Sequence, residues 1–540
     1  MSAIPGPSGL QTSRVLCETV PTTYSDEDSD NWEDDDDEVI EPESEIEDLD
    51  YEANPPQWSS FNRIGMKPVQ FTKEEGFLVP LPEEKSPISF FRLLVDIIFL
   101  EGIVKATNNY ALELFCGPST VPGSRISKWK DLSVDELWIF IGLLLHMGII
   151  QMPRLQDYWK QSKLFISVFP KYMSRDRFLA ILRCLNFENH PDKNNRSSKV
   201  QFLIDYFNNK MTNIYYPQQN LCIDEGMVLW RGRLYFRQYI KGKRHKYGIK
   251  LYSLCDPHGL ILKFFMYCGV MDDYGGKGHA ANVVLNLMQG KLNCGHSLYM
   301  DNFYNSFSLA SQLLRRNTYC TGTLRLDRKY ISKQVKSAKL KKGETIGKYA
   351  ESVMVGKWRD KRIVSYISTE HKNKMVTSIN RNGVEREKPL PIVKYNHFMK
   401  GVDRSDQMMS YYPCERKTLR WYKKIYIHIM QMLLINSHYL YNEFRTSCNE
   451  RKMPLYDFHL AVVDGLLPDL PQPPKPLKRK SIPHVPSKIV EKEKSGKKLK
   501  NKRCRVCSAE GKVKRVVWHC LECNDQPGLC VPHCFDKFHQ

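Results

Sequence analysis

Four aspartates of this 540-residue chain sit where a carboxylate is unexpected. Asp224 lies inside an apolar run, NLCIDEGMV. Asp301 ends another, SLYMDNFYN, while Asp403 and Asp406 share MKGVDRSDQMM, which reads as the start of a helix. Burying a charge is expensive unless it is paired or metal-bound. Three carboxylates meeting at one point would hold two divalent cations, and Mg2+ prefers such oxygen ligands while keeping positions open for water and phosphate. Two ions of this kind activate a water or a 3′-hydroxyl and stabilise the departing oxygen in an in-line displacement at phosphorus. Spacing alone does not single these residues out, because an aspartate at a strand end is commonly a turn cap.

The C-terminus offers a different chemistry. Of 16 cysteines, six fall within residues 504–540, as CRVC, HCLEC and LCVPHCFDKFH. Two Cys-x-x-Cys pairs separated by 12 residues, then two further cysteines and a histidine, supply the thiolates and imidazole that tetrahedral zinc requires. The candidates are Cys504, Cys507, Cys520, Cys523, Cys530, Cys534 and His539, with His533 or His519 able to complete a second four-ligand set. So short a stretch cannot fold by apolar burial alone, so the zinc would be structural and supply the folding free energy. One zinc with accessory ligands and two interleaved zincs both fit the spacing.

The formal net charge of +20 conceals a division. Residues 1–52 hold 18 acidic side chains and one basic one, Arg14, a balance of −17 that leaves +37 on the remainder. A body so basic attracts polyanions, nucleic acid ahead of an anionic membrane surface. Lys241, Lys243, Arg244 and Lys246, with His245 among them, fall on a turn between strands and suit phosphate contacts. Arg416, Lys417, Arg420, Lys423 and Lys424 interleave with Trp421 and Tyr422, a pattern that suits a distorted or single-stranded DNA end gripped by charge and stacking. The most apolar run, residues 138–150, is 13 residues long and contains His146, too short to span a membrane. The N-terminus lacks a signal-peptide pattern, so an intracellular protein is expected. KPLKRK and KKLKNKR fit nuclear import sequences and point to the nucleus.

These residues must be positioned by a multidomain α+β scaffold. Residues 1–57 read as an acidic disordered tail. Residues 58–217 are mainly helical: SVDELWIFIGLLLHMGII opens with Ser133 and Glu136 at capping-box spacing, and Phe178, Ile181, Leu182 and Leu185 recur at three and four. Residues 218–330 turn to short β-rich runs with a helix among them, forming a mixed sheet. Residues 331–394 are Lys-rich and strand-like, an insertion hung on that domain, and 395–416 carry the last aspartates. Residues 417–467 contain a buried helix of about 28 residues starting near Thr418. A Pro-rich, then basic linker over 468–503 leads to the zinc-binding module at 504–540.

The segments DEGMVLWRGRLYFRQYIKGKRHKYGIKLYSLCD, YMDNFYNS and YNHFMKGVDRSDQMMSYYPCERKTLRWYKK, in that order and followed by the Cys/His tail, resemble the piggyBac family of DNA transposases. The resemblance runs from about residue 87 to the C-terminus. It implies an RNase H-like catalytic core, interrupted by the β-rich insertion and flanked by helical segments that dimerise and bind DNA. It implies a triad of Asp224, Asp301 and Asp403 that binds Mg2+, with Asp406 a further acidic position of the motif, and a zinc module that recognises terminal inverted repeats. The implied activity is cut-and-paste transposition of double-stranded DNA by a homodimer: nicking at the transposon 3′ ends, hairpin formation and opening, and joining to TTAA targets. All four aspartates are present. The alternative is a domesticated, non-catalytic DNA- or chromatin-binding protein on the same scaffold.

Overall fold

A computed structural model of the chain describes residues 51, 54–61, 65–117, 125–189, 191–192, 195–240, 246–269, 276, 278–379, 383, 385–416, 418, 420–469, 484–491 and 499–539. They belong to two compact units, residues 1–468 and 469–540.

The larger unit is organised by a mixed sheet. Its first strands are β1 (Asn220–Leu229), β2 (Gln238–Tyr239), β3 (Tyr247–Cys255), β4 (Ile261–Met266), β5 (Ser297–Met300) and β6 (Tyr319–Thr323). β1 runs antiparallel to β3 and parallel to β5, β4 lies antiparallel on β3, and β6 runs parallel to β5. The order β4-β3-β1-β5-β6 with these directions is the RNase H-like arrangement. Parallel strands need covering on both faces, and accordingly every residue of β5 is buried.

The Lys-rich insertion does not hang from this sheet but lengthens it. Strands β7 (Thr345–Ala350), β8 (Val353–Arg359) and β9 (Ile363–Ser368) continue the order as β6-β9-β8-β7, with Tyr366 opposite Thr323 across the antiparallel join. The added strands bury Met354, Trp358 and Tyr366 in a small core with Ile392.

Edge strands expose unpaired backbone groups that invite wrong partners, and both edges of the sheet are managed. On β4, Asn436 and Asn208 present their side-chain amides to the backbone: Asn436 accepts from the Ile261 N–H (3.1 Å) and donates to its carbonyl (2.8 Å), and Asn208 does the same at Phe264 (2.9 and 2.8 Å). On β7, Ser59 and Tyr349 exchange two backbone hydrogen bonds of 2.9 Å. Nearby, Tyr51 donates to Glu351 (2.8 Å) and Trp58 to the Tyr330 carbonyl (3.2 Å). The acidic tail expected to reach residue 57 is therefore shorter, since Tyr51 is buried and residue 58 is tied down; residues 1–50 lie outside the described residues.

Helices surround the sheet: α1 (Pro87–Leu94), α2 (Ile97–Cys116), α3 (Val134–Ile149), α4 (Arg175–Cys184), α5 (Ser198–Ile214), α6 (His279–Leu287), α7 (Phe307–Arg315), α8 (Leu390–Phe398), α9 (Gly401–Tyr411), α10 (Trp421–Ser447) and α11 (Leu455–Leu466). Ser133 caps α3 by accepting from the Glu136 N–H (3.1 Å). Glu136 does not return the bond; its carboxylate takes a fork from Arg177 on α4 (2.6 and 2.5 Å). Phe178, Ile181 and Leu185 are buried as their spacing predicts, and Leu182 is half-buried. α10 starts three residues beyond Thr418 and is buried along most of its length. Polar residues on so buried a helix need partners; Gln431, for one, donates to the Tyr412 carbonyl (3.2 Å). Among the described residues no helix is long and apolar enough to cross a membrane.

Candidate active site and metal centres

The strand register brings the first two aspartates together. Ile223 of β1 lies beside Met300 of the parallel β5, so Asp224 and Asp301, each one step further on, stand side by side. Asp301 turns the chain as it leaves β5, accepting the Phe303 N–H (2.9 Å), and Asp224 accepts the Glu225 N–H (2.8 Å).

Asp403 and Asp406 arrive on α9, which rests directly on the sheet because glycines remove the obstruction. A Cβ on Gly401 would lie 2.2 Å from the Asp256 carbonyl oxygen and 2.5 Å from Cys222 Sγ, while Gly226 of β1 faces Asp406, whose Oδ1 would be in ordinary contact with a Cβ there at 3.8 Å. Gly259, in the left-handed region at φ +107°, would meet Arg404 and Ser405 at 3.3 Å. The turn carrying Gly259 is held by Asp256, whose Oδ1 accepts the N–H groups of His258, Gly259 and Leu260 (3.0, 2.8 and 2.7 Å). Burial raises the Asp256 carboxyl above its ordinary range, with these bonds opposing the shift.

Asp301, Asp224 and Asp403 lie near enough to one tyrosine to influence its titration. The Tyr395 hydroxyl, on α8, is pushed up to about 12, by burial first and then by Asp301, Asp224 and Asp403, against the lowering influence of a hydrogen bond with Thr323. Tyr304 is raised well above its usual value by burial and by Glu225, Tyr252, Asp224 and Asp301. Glu225, absent from the sequence candidates, is within reach of the Tyr304 hydroxyl (3.4 Å). A cleft of about 340 Å³ opens alongside, lined by Asp403, Asp406, Gln407, His428, Met227 and Leu229 among others. A donor set made only of carboxylate oxygens fits a hard cation such as Mg2+.

The expected DNA contacts divide. Lys241, Lys243, Arg244 and Lys417 lie outside the described residues, while Lys246 and Arg420 are exposed. Of the remaining four, Lys423 and Lys424 need correction, while Arg416 and Trp421 are half-buried. Lys423 is buried and donates to the carbonyls of Leu182 (2.8 Å) and Arg183 (2.5 Å), tying α10 to the C-terminal end of α4; burial draws its ammonium down to about 8. Lys424 is buried against Glu415 (3.3 Å), and Arg416 donates to the carbonyls of Met147 (2.8 Å) and Met152 (3.4 Å) at the end of α3. Trp421 packs edge-on against Phe236 at 5.3 Å. For the two buried lysines, cation spacing serves internal packing rather than a polyanion.

The smaller unit gathers two sets of ligand atoms, each within 4.8 Å of one another: Cys504, Cys507, Cys530 and Cys534, and His484, Cys520, Cys523 and His539. Sulfur atoms 2.3 Å from a common tetrahedral zinc stand about 3.8 Å apart. Cys507 lies 3.8 Å from Cys530 and 3.6 Å from Cys534, and Cys523 lies 3.6 Å from His484 and 3.3 Å from His539. Crowded thiols cannot all ionise without a cation, and their titration splits: amide groups of Cys507 and Cys530 outweigh burial to draw Cys504 to about 7, while burial and the neighbouring sulfurs push Cys534 to about 12.

All seven predicted ligands are used, and the sets interleave along the chain. The eighth is neither His533, which is exposed, nor His519, which approaches Lys502 Nζ (3.5 Å). It is His484, inside the stretch expected to be linker. Pro486–Lys488 pairs with Trp518–Cys520, and Lys502–Arg503 with Arg515–Val516, so the folded module starts ahead of residue 504 and takes in the end of KKLKNKR. The signal was a histidine between prolines, S-I-P-H-V-P, masked by a basic composition.

The fold is that of a family of transposases. A family model described as "Transposase IS4" matches residues 86–438, and one described as "DDE_Tnp_1-like zinc finger" matches residues 479–540. The fold matches the solved "Cryo-EM structure of piggyBac transposase synaptic complex with hairpin DNA", with a TM-score of 0.64 and 23% identity over 86% of this chain and 100% of that one. The human PiggyBac transposable element-derived protein 3 is 25% identical over 73% of this chain, and PiggyBac transposable element-derived protein 2 is 24% identical over 70%. The chain spans 66% and 64% of these relatives, just under two thirds of each. The chain belongs to the piggyBac transposase family.

Proposed function

We propose that the protein is a cut-and-paste DNA transposase in which Asp224, Asp301 and Asp403, with Asp406 beside them, perform phosphoryl transfer with Mg2+. What supports the reading is the parallel register that sets Asp224 beside Asp301, with Asp403 and Asp406 of α9 lining the cleft alongside β1. With Mg2+ bound, the site would supply an activated water or 3′-hydroxyl and a counter-charge for the departing oxygen. The chain's own residues hold the carboxylates: Tyr304 and Glu225 flank Asp224, and the glycine contacts seat α9. The basic body, with +37 outside the acidic tail, suits capture of double-stranded DNA, including terminal inverted repeats and a TTAA target. Two zinc ions would fold the C-terminal module, and the protein would act as a homodimer in the nucleus.

A donor plasmid carrying a marker between the inverted repeats that bound the gene tests this. Wild-type protein with Mg2+ should excise the marker and rejoin it at TTAA, and Asp224→Ala, Asp301→Ala and Asp403→Ala should each lose both steps while still binding the repeat DNA. Repeat binding without excision by the wild type would instead favour the non-catalytic reading.

A further inference from the structure

Tyrosines usually bury most of their ring, yet Tyr235 is 81% exposed, Tyr239 43% and Tyr247 42%. All three lie between β1 and the start of β3, on the chain that continues from the strand holding Asp224. The described part of this segment is anchored. Trp230 and Phe236 are buried, and Arg237 donates to the Arg231 carbonyl (3.3 Å). Tyr239 and Tyr247 face each other directly across β2 and β3, with ring centroids 4.7 Å apart. The rings are therefore held outward by a fixed backbone.

Cations accompany them. The Arg196 guanidinium lies 4.1 Å from the Tyr235 ring centre and is held there by the Cys268 carbonyl (2.8 Å), and Arg237 lies 5.3 Å from the ring of Tyr247. Residues 230–247 contain seven Arg or Lys and no Asp or Glu. A segment with exposed aromatic faces and only basic charged residues suits a polyanion that has faces of its own to stack. Duplex DNA hides its base faces, whereas an unpaired strand offers them, and stacking on aromatic rings within a basic groove is how such strands are held.

We propose that Tyr235, Tyr239 and Tyr247, with Arg196 and Arg237, form a stacking platform for an unpaired stretch of the DNA strand being processed. The proposal rests on the transposase reading above and names a binding surface that reading does not contain. Its position is suitable: Tyr247 is six residues along β3 from Ser253, the partner of Asp224, about 20 Å at 3.3 Å per residue. That is the length of about six nucleotides stacked at 3.4 Å.

The test uses the full-length chain, fluorescence anisotropy, and two probes: a blunt duplex, and the same duplex with a single-stranded extension carrying 2-aminopurine. The wild type should bind the extended probe more tightly and quench the 2-aminopurine. Tyr235→Ala, a change at an exposed ring, should weaken the extended probe by about fivefold or more, the lower end of what one base–aromatic stack contributes. It should change the blunt duplex by no more than about twofold, since phosphate contacts dominate there. Tyr235→Trp should restore both affinity and quenching. Equal wild-type affinity for the two probes, or equal weakening of both by Tyr235→Ala, or no weakening of either, would overturn the platform. Failure of the wild type to bind either probe would overturn the transposase reading itself, and the platform with it.

Discussion

The zinc-ligand candidates and the proposed catalytic aspartates of this chain are positioned by opposite routes. In the smaller unit, eight ligands fall between residues 484 and 539, and the fold around them is a few two- and three-residue strands and two short helices. In the larger unit, the carboxylates are spread from residue 224 to 406 and are brought together by a sheet, a parallel register and a helix seated on glycines. In the first the ligands make the fold. In the second the fold positions the aspartates.

The difference predicts opposite responses to losing a ligand. Removing a zinc thiolate should have the largest effect on folding, because structural zinc contributes on the order of 10 kcal/mol to modules of this size. Cys507→Ser or Cys530→Ser should leave residues 484–539 open to proteolysis while the larger unit keeps its own unfolding transition. The interleaving sharpens this. Metal analysis should find about two zinc ions per chain in the wild type and His533→Ala, and about one in His484→Ala. Wild-type zinc content in His484→Ala would return the eighth position to another residue.

Aspartate loss should do the reverse. Asp224→Ala, Asp301→Ala and Asp403→Ala should abolish strand cleavage yet lower the larger unit's stability by no more than about 1 kcal/mol, the worth of a local hydrogen bond such as the one Asp301 accepts from the Phe303 N–H. A fall comparable to that of the cysteine variants would mean that the carboxylates also hold the fold, and the contrast would collapse.

The same contrast explains what could be read in the sequence. Thiolate spacing survives translation into structure because the ligands are local, so seven of eight zinc ligands were legible, and the miss, His484, came from a compositional boundary. Aspartate spacing means nothing without the sheet register; those four residues were singled out only through a resemblance carried by whole segments. The helix and strand pattern was also legible, because apolar periodicity reports one buried face. The environment of a cation was not. Lys423, Lys424 and Arg416 have the spacing of a phosphate grip, but they face carbonyls and a carboxylate inside the unit, and periodicity does not distinguish a face packed on a neighbour from a face packed on DNA. Tyr235 escaped notice for the converse reason: nothing local marks a ring as exposed.

If packing and not ligation holds the carboxylates, damage to packing should reach them. Gly401→Ala places a Cβ 2.2 Å from the Asp256 carbonyl oxygen, a backbone atom with little freedom to retreat. Overpacking of this kind costs about 1–3 kcal/mol. The larger unit's urea midpoint should fall accordingly, and cleavage should fall with it because α9 carries Asp403 and Asp406. Loss of stability without loss of cleavage would show that α9 finds its place by other contacts.

The smallest effect tests whether a charge pair outside both sites matters to this scaffold. Asp96 caps α2 by accepting the Phe99 N–H (2.9 Å) and pairs with Lys210 on α5 (2.6 Å). Burial pushes its carboxyl up, but the Lys210 ammonium and the Phe99 amide outweigh it and hold the group below its ordinary value. A lowered carboxyl stabilises the fold above its unfolded pKa, near 3.9, and that contribution disappears as pH falls through the folded value. Asp96→Asn keeps an oxygen for the cap and removes the pair, which is only partly screened from water, so the cost near neutral pH should be below about 1 kcal/mol. Urea midpoints measured across the acid range should show the two proteins converging as Asp96 protonates. A difference that persists into strong acid would assign the loss to the cap rather than the charge, placing local hydrogen bonding above ion pairing in what keeps the scaffold, and through it the carboxylates, in register.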